Sequence, residues 1–177
     1  MRRTIVIALA AVLSGAFLLL GAVGASAAIR TVFPARDFRR QVAAIERHTR
    51  IPVLLPDAVH IDAPARHGIE VKWISNRRRW ELSLAIGPRC GGANACFVGV
   101  FSADRGARPA FRTRVRLRGG KVGFYKPSTC GASCSPPQIQ WLMGRVLYDV
   151  QFREAGRGSD RSKLVALANS ALAAGPR

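Results

Sequence analysis

Ile69-Glu70-Val71-Lys72-Trp73-Ile74 and Trp80-Glu81-Leu82-Ser83-Leu84-Ala85-Ile86 flank the polar run Ser75-Asn76-Arg77-Arg78, and this stretch decides the fold. Both arms alternate apolar and polar residues with period two, which in an extended chain sends one set of side chains to each face. Two such arms around a short polar turn read as a β-hairpin, here without the glycine that tight turns favour. Working outward, Cys96-Phe97-Val98-Gly99-Val100-Phe101 reads as a third strand. Residues 112–118 and 122–125 flank Gly119-Gly120-Lys121, and residues 138–142 and 146–152 flank Met143-Gly144-Arg145, so each pair reads as a further hairpin on a glycine turn.

The period changes at both ends of this β-rich region. In residues 34–49, Phe38, Val42 and Ile45 recur at helical spacing, Asp37 lies in the first turn, and Arg47, His48 and Arg50 sit near the end, where cations suit the dipole. Pro52 ends this helix by disfavouring a helical conformation at Ile51. Residues 52–64 hold three prolines and read as an extended connector with a short buried strand at Val53-Leu54-Leu55. Residues 160–174 read as a second helix, with Ser159 or Asp160 as N-cap, Leu164, Leu167, Ala168 and Leu172 on one face, and Gly175-Pro176 as the stop. The expected fold class is α+β, a mostly antiparallel six- to eight-stranded meander with an N-terminal and a C-terminal helix and two disulfides. Residues 28–50 form the N-terminal helical segment and residues 51–177 a single β-rich domain.

The first 27 residues read as a signal peptide. Arg2-Arg3 is a short positive region, an apolar run follows to Leu20, and Ala25-Ser26-Ala27 fits the small-residue cleavage rule. The alternative is an uncleaved anchor, since residues 4–28 carry no charge and are long enough to span a bilayer. Either way the rest of the chain is placed outside the cytosol, secreted or periplasmic. The chain has 28 basic and 10 acidic residues, a formal +18. That balance attracts polyanions, so an anionic envelope polymer, a lipid surface or an envelope protein is the expected partner. Arginine outnumbers lysine 24 to 4, a skew that base composition of a genome also produces. No helix-turn-helix or aromatic RNA-binding motif is present, which argues against sequence-specific nucleic-acid binding.

Cys90 and Cys96 enclose Gly-Gly-Ala-Asn-Ala, and Cys130 and Cys134 enclose Gly-Ala-Ser, both runs of small residues as tight stapled loops require. Four cysteines allow three connectivities. In a simple meander the loop after the second strand and the loop after the fifth lie at opposite sheet ends, which favours the local pairs, an argument that weakens where the long segment 103–111 crosses over the sheet. Spacings of five and three residues suit zinc knuckles poorly, and an oxidising compartment favours disulfides over a metal or redox site. No cofactor or metal is expected.

Arg112, Arg114, Arg116 and Arg118 alternate with Thr113, Val115 and Leu117, which puts four guanidinium groups on one strand face about 7 Å apart. Arg77-Arg78-Arg79 adds a cluster at the first hairpin turn. These seven arginines are the candidate anion-binding residues, against a plain solvated face as the alternative. Trp73, Trp80 and Trp141 fall in strands and suit core or strand-pair roles. His60-Ile61-Asp62 places a histidine and a carboxylate on one strand face with no nucleophile coupled to them. Ser133 and Ser135 lack the glycine-flanked elbow of a hydrolase. No catalytic residue is assigned, and an envelope hydrolase or thiol oxidoreductase is the second reading.

On Cys90-Gly-Gly-Ala-Asn-Ala-Cys96, Cys130-Gly-Ala-Ser-Cys134-Ser-Pro-Pro and Ala168-Asn169-Ser170-Ala171, residues 51–177 resemble a family of uncharacterised secreted bacterial proteins, cyanobacterial ones especially. Trp141-Leu-Met-Gly-Arg-Val-Leu-Tyr148 and the last helix are similar to the extracytoplasmic domain of unknown function in anti-sigma-factor-like membrane proteins. That resemblance implies a β-rich envelope-sensing or binding domain. Only three residues precede the apolar segment, so a sigma-binding part has no counterpart here.

Overall fold

The alternation of residues 69–86 becomes an antiparallel hairpin whose register runs from Ile69 opposite Ile86 to Ser75 opposite Trp80. Its turn works without glycine because Asn76 replaces it: the Oδ1 atom accepts the backbone N–H groups of Arg78 and Arg79 at 2.8 and 2.9 Å. The computed structural model describes residues 28–64, 67–87 and 96–177. In chain order the elements are β1 (Ala28–Val32), α1 (Pro34–Asp37), α2 (Arg39–His48), β2 (Val59–Ala63), β3 (Ile69–Ser75), β4 (Arg79–Ile86), β5 (Phe97–Arg105) and β6 (Thr113–Arg116). Then come β7 (Val122–Lys126), β8 (Thr129–Cys130), β9 (Cys134–Ser135), β10 (Gln138–Met143), β11 (Val146–Phe152) and α3 (Asp160–Ala174).

Seven strands form one antiparallel sheet in the order β3-β4-β5-β11-β10-β7-β6. This corrects the simple meander. The first three strands run up and down as neighbours, but β5 does not pair with β6. Residues 106–112 instead carry the chain to the far edge, and β6, β7, β10 and β11 fold back until β11 lies beside β5. Across the sheet that path covers four strand spacings, and along it four residues, because the register carries Thr113 through Tyr125, Ile139 and Val150 to Phe101. The diagonal is about 23 Å, while the eight peptide units from Arg105 to Thr113 reach about 27 Å fully extended. The crossover is therefore close to taut.

The crossover runs over one face of the sheet and roofs its polar centre. The backbone N–H of Ala110 donates to Gln140 Oε1 at 2.9 Å, and Gln140 is 6% exposed. The Gln138 and Gln140 amides both donate to Asp149 Oδ2. Burial pushes the Asp149 carboxyl above the usual range, against the lowering effect of those two hydrogen bonds.

The opposite face is the apolar core. Trp80, Leu82, Phe101, Trp141, Tyr148 and Phe152 are almost fully buried there, at alternate positions of β4, β5, β10 and β11. Helix α3 lies against β10 and β11 and buries Leu164, Leu167, Ala168 and Ala171. Its N-cap is Ser159, whose hydroxyl accepts the backbone N–H of Ser162, and it stops at Gly175 with φ 73°. Helix α2 lies against β3 and buries Val42, Ala44 and Ile45. The β1–β2 pair forms a separate two-stranded sheet. The strand expected at Val53-Leu54-Leu55 reduces to a single bridge from Leu54 to Pro176, although all three residues are buried.

Gly99 marks the tightest contact between strands. A Cβ there would overlap the Phe152 ring and stand 2.7 Å from the Gln151 carbonyl oxygen, which is backbone and has little freedom to move. Gly99→Ala is expected to lower stability by about 1–3 kcal/mol, read as a lower urea midpoint with unchanged m-value. An unchanged midpoint would contradict this packing.

Candidate functional site

The chain leaves β11 at the end of the sheet where β5 begins, and the next three residues help to build a polar cleft. The Arg153 N–H donates to the Val98 carbonyl at 2.9 Å, and the Ala155 N–H donates to the His60 carbonyl at 2.8 Å, so the segment is laced to both β5 and β2. Glu154, between them, has a side chain only 8% exposed. Its Oε1 accepts the backbone N–H of His60 at 2.9 Å and lies 2.7 Å from His60 Nδ1. Its Oε2 is buried without a hydrogen-bond partner among the described residues. Burial pushes the Glu154 carboxyl up, and the hydrogen bonds from His60 and the charge of Lys163 only partly oppose this. Lys163 Nζ donates to the Glu154 carbonyl at 3.1 Å.

Glu154, Asp62 and Lys163 share a cavity of about 470 Å³ with an apolar wall that includes Ile29, Ile61 and Phe97. A carboxylate that holds an imidazole can orient a general base or a metal ligand. Among the described residues neither use is completed. No serine, threonine or cysteine lines that cavity among the described residues, and no group of three histidine, cysteine or acidic side chains is placed to hold a metal ion. What the pair does is tie β2 to the end of β11. The sequence paired His60 with Asp62 through period two, and both are indeed exposed on one face of β2. The partner that binds His60 comes from 94 residues away, where nothing local to Arg153-Glu154-Ala155 announces it.

Cys130 and Cys134 form a disulfide that closes the small β8–β9 hairpin. Cys96 is also disulfide-bonded, and its partner lies outside the described residues, as does Cys90. The expectation that the two cysteine loops lie at opposite sheet ends is corrected. Ala85 pairs with Phe97, Gly99 with Phe152, and Gln138 with both Gln151 and Lys126, so the β4–β5 and β7–β10 connections leave from the same end. The crossover spans the sheet and so removes one reversal from the parity count. The local Cys130–Cys134 pair forms for a different reason: its two residues are opposite each other in one hairpin.

The arginines are placed as follows. Arg114 and Arg116 lie in the edge strand β6, Arg112 precedes it, and Arg118 opens a 3-10 turn in which Gly119 and Gly120 have φ of 66° and 71°. The Arg118 backbone N–H donates to Asn169 Oδ1 of α3 at 2.7 Å. Arg77, Arg78 and Arg79 sit at the β3–β4 turn, five strand spacings or about 24 Å across the sheet from β6. The two groups therefore do not form one ridge. All seven residues are exposed. Arg79 pairs with Glu81, whereas the side chains of the other six meet no carboxylate among the described residues. Trp80 and Trp141 are core residues, and Trp141 stacks on Tyr148 at 5.7 Å. Trp73 is 37% exposed and lies against His48.

The residues read as a signal peptide or anchor lie outside the described residues, and no helix among the described residues is long and apolar enough to cross a membrane. Comparison with protein-family models, with curated proteins and with solved structures finds no match to this chain.

The buried Glu154 carboxyl gives a signed pH dependence. Its folded-state pKa lies above its unfolded value, so its contribution to stability is fully present below about pH 4.5 and is lost as pH rises through the folded value. Glu154→Gln removes that titration and keeps an acceptor for the His60 N–H. The variant is expected to gain on the natural protein as pH rises above about 4.5, measured by urea unfolding at a series of pH values. A difference that shrinks as pH rises would show instead that the charged carboxylate stabilises the fold.

Proposed function

We propose that the chain is an extracytoplasmic, non-enzymatic domain that binds an anionic component of the bacterial envelope through exposed arginines. The observation that carries this reading is the unpaired charge. Arg77, Arg78, Arg112, Arg114, Arg116 and Arg118 are all exposed without a carboxylate partner among the described residues, in a chain with 28 basic and 10 acidic residues. Unpaired guanidinium groups repel one another, and a bound oxyanion relieves that repulsion with paired, charge-assisted hydrogen bonds. The export segment at residues 1–27, the Cys130–Cys134 disulfide and the resemblance to secreted bacterial proteins support the placement outside the cytosol.

Binding of this kind releases counterions, so its strength depends steeply on salt. With four oxyanions engaged on a flexible single-stranded polymer, affinity for inorganic polyphosphate is expected to fall roughly 50-fold between 50 and 200 mM NaCl. Titration by fluorescence anisotropy reads this directly. No binding at 50 mM salt, or a salt-independent affinity, would overturn the reading.

A further inference from the structure

The strand arginines of β6 are not where the sheet gathers its positive charge most closely. The register brings the β3–β4 turn, the end of β5 and the β10–β11 turn to one end of the sheet, where the β6–β7 turn with Arg118 also lies, opposite the end that holds the Cys130–Cys134 hairpin. Two backbone hydrogen bonds lock these three segments together: the Arg105 N–H donates to the Arg78 carbonyl, and the Gly106 N–H donates to the Arg145 carbonyl, both at 2.8 Å. Arg105 Nη2 also reaches the Arg50 carbonyl at 3.4 Å, which adds the residue just past α2. Arg50, Arg77, Arg78, Arg105 and Arg145 are all exposed.

None of these five forms an ion pair with a carboxylate among the described residues. The acidic positions nearby are Asp104, beside Arg105, Glu46, which lines a cavity with Arg50, and Glu81, which already pairs with Arg79. Like charges on neighbouring strands, about 5 Å apart at the backbone, raise the free energy of the unliganded protein. The chemistry of a partner follows from what the turn tips carry. The tips Asn76-Arg77-Arg78 and Gly144-Arg145 are themselves polar, exposed Ile74 and Leu142 stand two residues back on their strands, and the arginines form a row along a sheet end rather than a broad face. A row of guanidinium forks suits an extended chain of oxyanions.

We propose that this turn end of the sheet is the binding site for a linear polymer bearing phosphate or carboxylate groups, an assignment that rests on the anion-binding reading above. Two variants of equal charge loss separate site from net charge. One carries Arg77→Ser, Arg78→Ser, Arg105→Ser and Arg145→Ser; the other, the strand variant, carries Arg112→Ser and Arg114→Ser with Arg157→Ser and Arg161→Ser, exposed positions away from the turn end. Both are titrated with inorganic polyphosphate and with polyglutamate over 50–200 mM NaCl. The turn variant is expected to bind at least tenfold more weakly at 50 mM salt and to lose about 3 from the slope of log affinity against log salt. The strand variant is expected to stay within about threefold of the natural protein. The single changes Arg145→Glu and Arg114→Glu repeat the comparison with minimal disturbance, and the first is expected to cost more. Equal losses in both variants, or a loss confined to the strand variant, would overturn the assignment while leaving anion binding in place. Turn-dependent binding to phosphatidylglycerol vesicles without binding to either polymer would overturn it in favour of a lipid surface. If the natural protein binds neither polymer nor vesicles, the anion-binding reading itself falls.

Discussion

The near-taut crossover of residues 106–112 is the constraint on which the rest of the structure depends. Seven residues carry the chain from the top of β5 to the bottom of β6 across three intervening strands, with little length to spare. That path determines that β11 inserts beside β5, and with it the continuous core row of Trp80, Phe101, Tyr148 and Trp141. It also sets which face can tolerate polar groups. Gln140 is buried and Asp149 half-buried on the face away from the helices, where the crossover supplies the Ala110 N–H to Gln140. A buried carboxyl there stays acceptable only because two amides donate to it, and even so burial raises its pKa.

The same crossover sorts the molecule into two unlike ends. One gathers the Cys130–Cys134 hairpin, the Glu154–His60 pair and the cavity beside Asp62 and Lys163. The Cys130–Cys134 staple and the laced segment at residues 153–155 hold this end by covalent and hydrogen bonds. The other end has no such staple among the described residues and carries arginines held close by backbone hydrogen bonds at 2.8 Å. Charge is tolerated there because turn tips are fully hydrated, so the repulsion is screened until a partner arrives.

Much of this fold was legible in the sequence. The strands β3, β4, β5, β6, β7, β10 and β11 and the helix α3 announce themselves through alternation, apolar runs or helical spacing, with Gly119-Gly120 and Gly144 at the turns. The pairing of β5 with β11 was not legible, since strand order across a long connection leaves no local trace. The strand at Val59–Ala63 was legible only as the alternation of His60-Ile61-Asp62, while the denser apolar run Val53-Leu54-Leu55 drew a strand assignment although its burial comes from packing as extended chain near Pro176. The strand at Ala28–Val32 merges in sequence with the apolar stretch before it and was overlooked. For the site, exposure of the seven arginines follows from their alternation and turn position. The gathering of Arg50, Arg105 and Arg145 with Arg78 does not, because three distant segments meet only once the crossover is made.

The central claim is that the two ends of the sheet differ in kind and that the arginine end meets the partner. Amide chemical shifts of the natural protein, followed by NMR during titration with inorganic polyphosphate, test this most directly. The account predicts the largest shifts at Arg77, Arg78, Arg105 and Arg145, with Cys96, Cys134 and Glu154 at the far end unmoved. Shifts centred on the cysteine end would contradict it.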